Sequence, residues 1–407
     1  MKKGNHIEGD VCLMEQGKPE QQYKPAIGWE VAVFLVGFLG FFYLFASQMG
    51  LANTLNTIMN TAYDLLLNTV FYIMAVCVVM GAFSALFDEF GLVTLLNKLL
   101  EPLMYPVWGL PGAASLGIVT TFFSDNPAIL ALADNTYFRH FFKKYQFPAL
   151  VNLGTAFGMG LIVCTFMLSQ PAAKGESYGT AVAVGLLGAV VGSIVSGRLM
   201  LRFTKRAYGL EAEMISDGMQ DNLSRQNDRT MRPVRSGSVG ARLMDAVLTG
   251  GAGGVKMGLG IVPGVLTICT FVMMLTNGPG AEGYTGAAYE GIRLLPMAAE
   301  RLNFLLQPLF GFSSPECVSV PITAMGAAGA AIGLVPGLLS SGLADAGDVA
   351  VFTAMCMCWS GYISTHVSMM DELGCKELIG KALLSHTIGG VAAGAAAHYL
   401  FLLVLAI

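Results

Sequence analysis

Stretches of about twenty apolar residues recur along the whole chain, and a run that long with so few charges fits a helix crossing a bilayer. No water is available there, so a spanning segment must satisfy its own backbone, as a helix does. Full spans are expected at 27–49, 61–87, 147–169, 180–201, 251–276, 349–370 and 382–406. Composition agrees: hydrophobic residues are 54% of the 407 and charged residues 12%, about half the charged share of a soluble domain. Glycine reaches 50 residues, which suits helices whose backbones approach closely. The expected fold class is an all-α polytopic membrane protein. The net charge of −4 comes with no basic patch suited to nucleic acid. Residues 1–25 are polar and read as a tail, and the run from Ala26 to Met49 as an anchor that stays.

Two further apolar regions, 109–136 and 311–345, are interrupted in the middle. The first carries Ser124-Asp125-Asn126-Pro127 and the second Ser313-Ser314-Pro315-Glu316. Irregular backbone at membrane depth survives only where protein or a wet cavity covers it. Both regions are therefore expected to be re-entrant hairpins of two short helices. Each follows a helix of mixed polarity, 91–104 or 286–306, expected to lie along the membrane surface.

Orientation follows from Lys and Arg in the short loops. Segment 202–243 carries Arg202, Lys205, Arg206, Arg225, Arg229, Arg232, Arg235 and Arg242, and is expected to be cytoplasmic. The loop 170–179 has only Lys174 and is expected outside. Arg139, His140, Lys143 and Lys144 then fall inside with the N-terminus, and 277–310 falls outside, despite Arg293 and Arg301. The two hairpins thus enter from opposite faces of an inner membrane.

The two halves also resemble one another. Leu99-Leu100-Glu101-Pro102-Leu103 and Leu305-Leu306-Gln307-Pro308-Leu309 each precede a hairpin, Gly109 aligns with Gly311, and Thr121 with Thr323. The order is the same in both: span, surface helix, hairpin, span, span. This gives a tail at 1–25, an extra span and connection at 26–60, a first repeat at 61–201, a cytoplasmic linker at 202–250 and a second, inverted repeat at 251–407. Inverted-topology repeats recur in secondary transporters.

On Gly109-Leu110-Pro111-Gly112 through Asp125-Asn126-Pro127, and Gly311 to Gly329 as their counterpart, the chain resembles the Gate-domain membrane proteins, also called nucleoside-recognition domain proteins. That family takes in spore maturation proteins A and B, the membrane part of the bacterial ferrous-iron transporter, and portions of concentrative nucleoside transporters. Two Gate units in one chain are similar to a fused pair of spore maturation proteins. The resemblance spans about 61–406 and implies a fold rather than a substrate. No G-x-x-x-x-G-K-[ST] is present, so no nucleotide motor of that kind is built in. H-E-x-x-H is absent as well, and neither an enzyme nor a cofactor is implied.

Transporters of this architecture bind near the midplane, where hairpin tips and unwound helices expose backbone groups. An ionised Asp at that depth costs about 2.5–3.5 kcal/mol on insertion scales, which singles out Ser124, Asp125 and Asn126. Asp125 and Asn126 serve either as ligand or coupling-ion contacts or as the cap of the second half-helix, with Pro127 in its first turn. Ser314 and Glu316 carry the same two readings. Thr121 and Thr323 either face the solute or bond back to their own helices. Asn152 and Thr155, beside Gly154, Gly158 and Gly160, and Ser364, Thr365 and His366, after Ser360-Gly361, fall in spans expected to be partly unwound. Gly154-x-x-x-Gly158 also suits helix packing, and His366 suits proton transfer. Cys356, Cys358 and His366 match no closed zinc spacing, and the cysteines read as small buried residues rather than a disulfide framework.

The first functional expectation is a secondary permease for a small polar solute, with H+ or Na+ as coupling ion, working by alternating access. The alternatives are a non-transporting envelope or assembly factor of the spore-maturation type and a divalent metal ion permease. The lipid bilayer is the expected surroundings, with a second copy or a partner membrane protein as further candidate partners.

Overall fold

The computed structural model describes residues 25–133, 136–171, 177–212 and 234–406. The tail expected at 1–25 (its last residue excepted), Lys174, and Arg225, Arg229 and Arg232 of the linker lie outside the described residues. The chain is an all-helical, multi-pass membrane protein.

Helix α1 (Trp29–Met49) is apolar on every side, and only 6% of its spanning window is buried. It therefore faces lipid, touching the rest through Phe45 and Met49, which pack on Met274 and Ile292. Helix α2 (Leu51–Glu89) includes a π-helical stretch at Leu65–Val70. Its apolar run begins near residue 61, yet the helix starts ten residues sooner than the expected span. The cause is a polar face. Thr54, Thr57 and Thr61 are buried, and the amides of Asn53 and Asn60 donate to the carbonyls of Tyr284 and Gly286 at 2.8 Å each.

The first surface helix, α3 (Leu92–Leu103), ends in π turns and then Gly109 at φ +77°, and the chain bends by 111° into the first hairpin. The hairpin arms are α4 (Ser115–Phe123) and α5 (Ala128–Ala133). A crossing helix follows in two pieces, α6 (Ala149–Thr155) and α7 (Gly160–Leu168). Its spanning window is 89% buried, which places it at the core of the molecule. Helix α8 (Gly179–Tyr208) then crosses, running beyond the expected end at 201.

The second half repeats this order. Helix α9 (Val239–Thr276) carries π turns at Val265–Cys269, as α2 does at its own middle. Its first turns lie in what reads as linker and are held by ion pairs. Glu89 accepts from Arg235 at 2.9 Å and Arg242 at 2.6 Å, and Arg235 also reaches Asp245 at 2.8 Å. Residues 277–293 form an irregular strap, and the surface helix expected from 286 starts only at Leu294, because Gly286, Tyr289 and Arg293 all have positive φ, which an α-helix does not contain. The Glu290 carboxylate folds the strap by accepting from the Thr285 and Gly286 amides at 2.8–3.0 Å. Burial pushes its acidity down, but these donors outweigh that and hold its pKa below the ordinary carboxylate value.

The second surface helix comes in two pieces, α10 (Leu294–Arg301) and α11 (Asn303–Phe310), closed by Gly311 at φ +63°. The second hairpin has arms α12 (Ser319–Gly326) and α13 (Ala328–Ser340). The second crossing helix is also broken, into α14 (Ala346–Trp359) and α15 (Tyr362–Glu372), and α16 (Ile379–Leu405) completes the fold.

Two intimate helix pairs frame these pieces, each taking one helix from either half. In the α2–α9 pair, a Cβ on Gly81 would stand 2.5 Å from the Gly250 carbonyl, and one on Gly254 would stand 2.2 Å from that of Cys77. In the α8–α16 pair, Gly188 faces the Ala393 carbonyl and Gly192 that of Gly389, at 2.7 Å for an added Cβ. Backbones this close need small residues at a four-residue spacing.

Candidate functional site

Four pieces of interrupted helix meet inside the frame. The first hairpin breaks at Ser124-Asp125-Asn126-Pro127, between α4 and α5, as its polar residues imply. The second breaks at Ala327. Its polar run, Ser313 to Glu316, lies instead at the root, where Ser314 is extended and Pro315 occupies the first helical position. The crossing helices break at Ala156–Met159 and at Ser360–Gly361. Met159 (φ +54°), Ser360 (φ +36°) and Gly361 (φ +71°) are left-handed, and non-glycine residues hold that conformation at a cost of about 1–3 kcal/mol.

The contacts between these breaks are direct. Asn126 is 1% exposed. Its Nδ2 donates to the Ser360 carbonyl at 2.6 Å and lies 3.5 Å from Thr365 Oγ1. Gly158 passes so close that a Cβ there would stand 1.6 Å from Asn126 Oδ1 and 2.6 Å from Ser360 Oγ. From the other hairpin, the Ala324 carbonyl accepts from the Gly361 amide at 2.8 Å. The first hairpin thus touches both crossing helices at their breaks, and the second hairpin holds the second break.

The expected site residues divide around this junction. Asp125 is half-buried and its Oδ1 accepts from the Asn126 amide at 2.7 Å. Ser124 Oγ donates back to the Thr120 carbonyl. Thr121 and Thr323 match in position and in behaviour, each hydroxyl donating at 2.7 Å to the carbonyl four residues earlier, Gly117 or Ser319. Asn152, Thr155 and His366 are fully buried on α6 and α15. Ser364 lies on α15, its side chain outside the described residues. Ser314 and Glu316 stand apart at the second hairpin's root, where Glu316 pairs with Arg293 of the strap at 3.0 Å. Asp348 steadies that root, accepting from the Ser313 amide at 3.2 Å and the Asp345 amide at 2.9 Å.

Ser360, Trp359, Ser196 and His386 also belong here and were not singled out as site residues from the sequence. His386 had a legible signal, being an ionisable residue within an apolar span. Ser196 had none. Among the described residues, no group of three or more His, Cys, Asp and Glu gathers in a way that could hold a metal ion.

Two cavities flank the junction. One of about 470 Å³ lies between α2, α9 and the first hairpin, lined by Cys77, Ser84, Asp88, Thr120, Ser124 and Arg235 among others. The other, about 710 Å³, lies against the second hairpin and α7, with Asn68, Tyr72, Gln170, Asn277, Tyr289 and Ser319 in its wall. Both touch α2, at levels roughly 20 Å apart along its axis.

Solved structures of the concentrative nucleoside transporter CNTnw are similar to this chain. One in an outward-facing state covers 91% of this chain and 83% of its own, at 14% identity and a TM-score of 0.52. One in an inward-facing, substrate-bound state covers the same shares at 13% identity and a TM-score of 0.49. No protein-family model matches the sequence, and no curated protein does. At such identity the likeness is one of fold, and it rests on the outward-facing structure: the chain is similar to a concentrative nucleoside transporter in the course of its helices.

Proposed function

We propose that this protein is a secondary transporter that binds a small polar solute where the two hairpins meet the two broken helices. The observation that carries this reading is a concentration of unmet polar atoms. Among the described residues, eleven buried side-chain nitrogens and oxygens have no hydrogen-bond partner. Seven belong to the junction and the helices leading from it: Asn126 Oδ1, Asn152 Oδ1, Thr155 Oγ1, Trp359 Nε1, Ser360 Oγ and both ring nitrogens of His366. Each such atom costs about 1–3 kcal/mol, and a solute bearing both donors and acceptors relieves that cost. None belongs to Lys or Arg, and the carboxylate beside them is Asp125, so an anion is disfavoured.

The two cavities supply the approach paths, and alternate opening of each gives transport. The Gate-type arrangement of two inverted repeats in a cell inner membrane, N-terminus cytoplasmic, fits that cycle. Asp125 and His366 are the ionisable groups available to couple it to H+ or Na+.

Thermal unfolding in detergent, with nucleosides, amino acids and dipeptides each tested with and without Na+, checks the site. A ligand at ~100 times its dissociation constant adds about 2.7 kcal/mol of stability. That gain should vanish in Asp125→Ala and Asn126→Ala, and uptake into proteoliposomes with it. Uptake unchanged in a folded Asp125→Ala protein would remove Asp125 from the site, and unchanged in both variants would remove the site itself.

A further inference from the structure

We infer that His386 is a positioning residue of this site, standing at the end of a buried hydrogen-bond line from the first crossing helix and holding open the break in the second with its own Nε2 proton. The inference rests on the solute site proposed above. His386 sits on α16 and is fully buried. Its Nε2 lies 2.6 Å from the Cys358 carbonyl. A carbonyl only accepts, so Nε2 carries the proton, and Nδ1 of the neutral ring is an acceptor. Nδ1 faces Ser196 Oγ of α8 at 2.9 Å, and Ser196 is therefore the donor. Ser196 Oγ in turn accepts from Asn152 Nδ2 of α6 at 2.9 Å. The Asn152 amide is oriented by its second bond, to the Ala382 carbonyl at 3.1 Å. Each bond in the line has one allowed direction: Asn152 to Ser196 to His386 to Cys358.

The Cys358 carbonyl is the one that matters to the break. It belongs to the last turn of α14, which ends at Trp359. Terminal carbonyls of a helix have no partner within it, and in a membrane interior water does not replace that partner. Were the helix to continue, the Tyr362 amide would take this carbonyl. His386 takes it instead, and the chain turns away through left-handed Ser360 and Gly361. The turn presents the Ser360 carbonyl to Asn126 and the Gly361 amide to Ala324. His386 thus acts on both hairpins through backbone it does not touch. The rings of His366 and Tyr362 pack on it, with centroids at 4.5 and 5.2 Å, and the Tyr362 hydroxyl is engaged with Thr387 at 2.6 Å.

Amide hydrogen exchange over residues 355–366, measured on the full chain in lipid nanodiscs, tests this. In His386→Leu the carbonyl loses its donor and recaptures the chain, so the Gly361 amide should leave Ala324 and exchange at least about tenfold faster. His386→Gln keeps an N–H within reach of the carbonyl and should stay within about twofold of the parent protein. Ser196→Ala should do so as well, because the imidazole keeps its Nε2 proton. His386→Asn, too short to reach, replaces the leucine variant if that fails to fold and should show the same acceleration. Parent-like exchange in His386→Leu or His386→Asn, or acceleration in His386→Gln equal to theirs, would overturn the assignment. The readout needs no solute, so it stands or falls separately from the ligand panel.

Discussion

Gly158 shows most sharply how a single residue shapes this site. Beside it stands not a void but Asn126 Oδ1, 1.6 Å from where a Cβ would sit. No real side chain tolerates that approach, so even one methyl must push the Asn126 amide aside. Doing so breaks the Asn126 bond to the Ser360 carbonyl. Gly158→Ala should therefore erase any ligand-induced stabilisation while costing about 1–3 kcal/mol of intrinsic stability. Gly179→Ala provides the comparison, since its added Cβ meets only Ser177 Oγ at 3.5 Å. Unfolding temperatures for both variants, with and without the stabilising solute, give the answer. A Gly158→Ala protein that still responds to solute would place the binding site elsewhere.

At the scale of elements, the α2–α9 pair is a seam of glycines, and what each one meets differs from its neighbour. A Cβ on Gly254 would stand 2.2 Å from the Cys77 carbonyl, whereas one on Gly253 meets nothing within 4 Å. Gly254→Leu should separate the helices and lower stability by about 3 kcal/mol, while Gly253→Leu, which faces open space, should change it little. Equal unfolding temperatures for the two would mean that the seam does not hold the halves together. Elements were legible in the sequence where polarity marked the break itself. Ser124-Asp125-Asn126-Pro127 does so, because an Asp and a Pro in an apolar run have few other uses. Ala327 does not, since small apolar neighbours give no sign that the helix stops there. The polar run at Ser313–Glu316 was real but marked the start of a helix. The early start of α2 was hidden for a different reason. Its polar residues read as a loop until the strap's carbonyls, more than two hundred residues away, come to satisfy Asn53 and Asn60. Long-range hydrogen bonds of that sort leave no local trace. The same holds for the site: Asn126 stood out alone, whereas Ser196 is visible only through His386 and Asn152.

Across the whole molecule, the element order decides how the two hairpins face the membrane. From the root of the first hairpin the chain crosses as α6–α7, returns as α8 and crosses again as α9, before the strap leads to the second hairpin. In the proposed inverted arrangement three crossings separate the roots, and an odd number puts them on opposite faces. In the orientation proposed above, the first root, with Arg139, Lys143 and Lys144, is cytoplasmic. On the transporter reading the cavity against each hairpin opens to that hairpin's own side, which is the geometry that alternating access requires. Lys144 and Ser341 are both exposed and lie at the two roots. Lys144→Cys should react with a membrane-impermeant maleimide only after cells are permeabilised, and Ser341→Cys should react on intact cells, each measured above the labelling of the parent chain. Reaction of both from the same face would mean that the halves are not inverted. The two cavities would then share one side, and a solute at the junction would have a pocket but no path across.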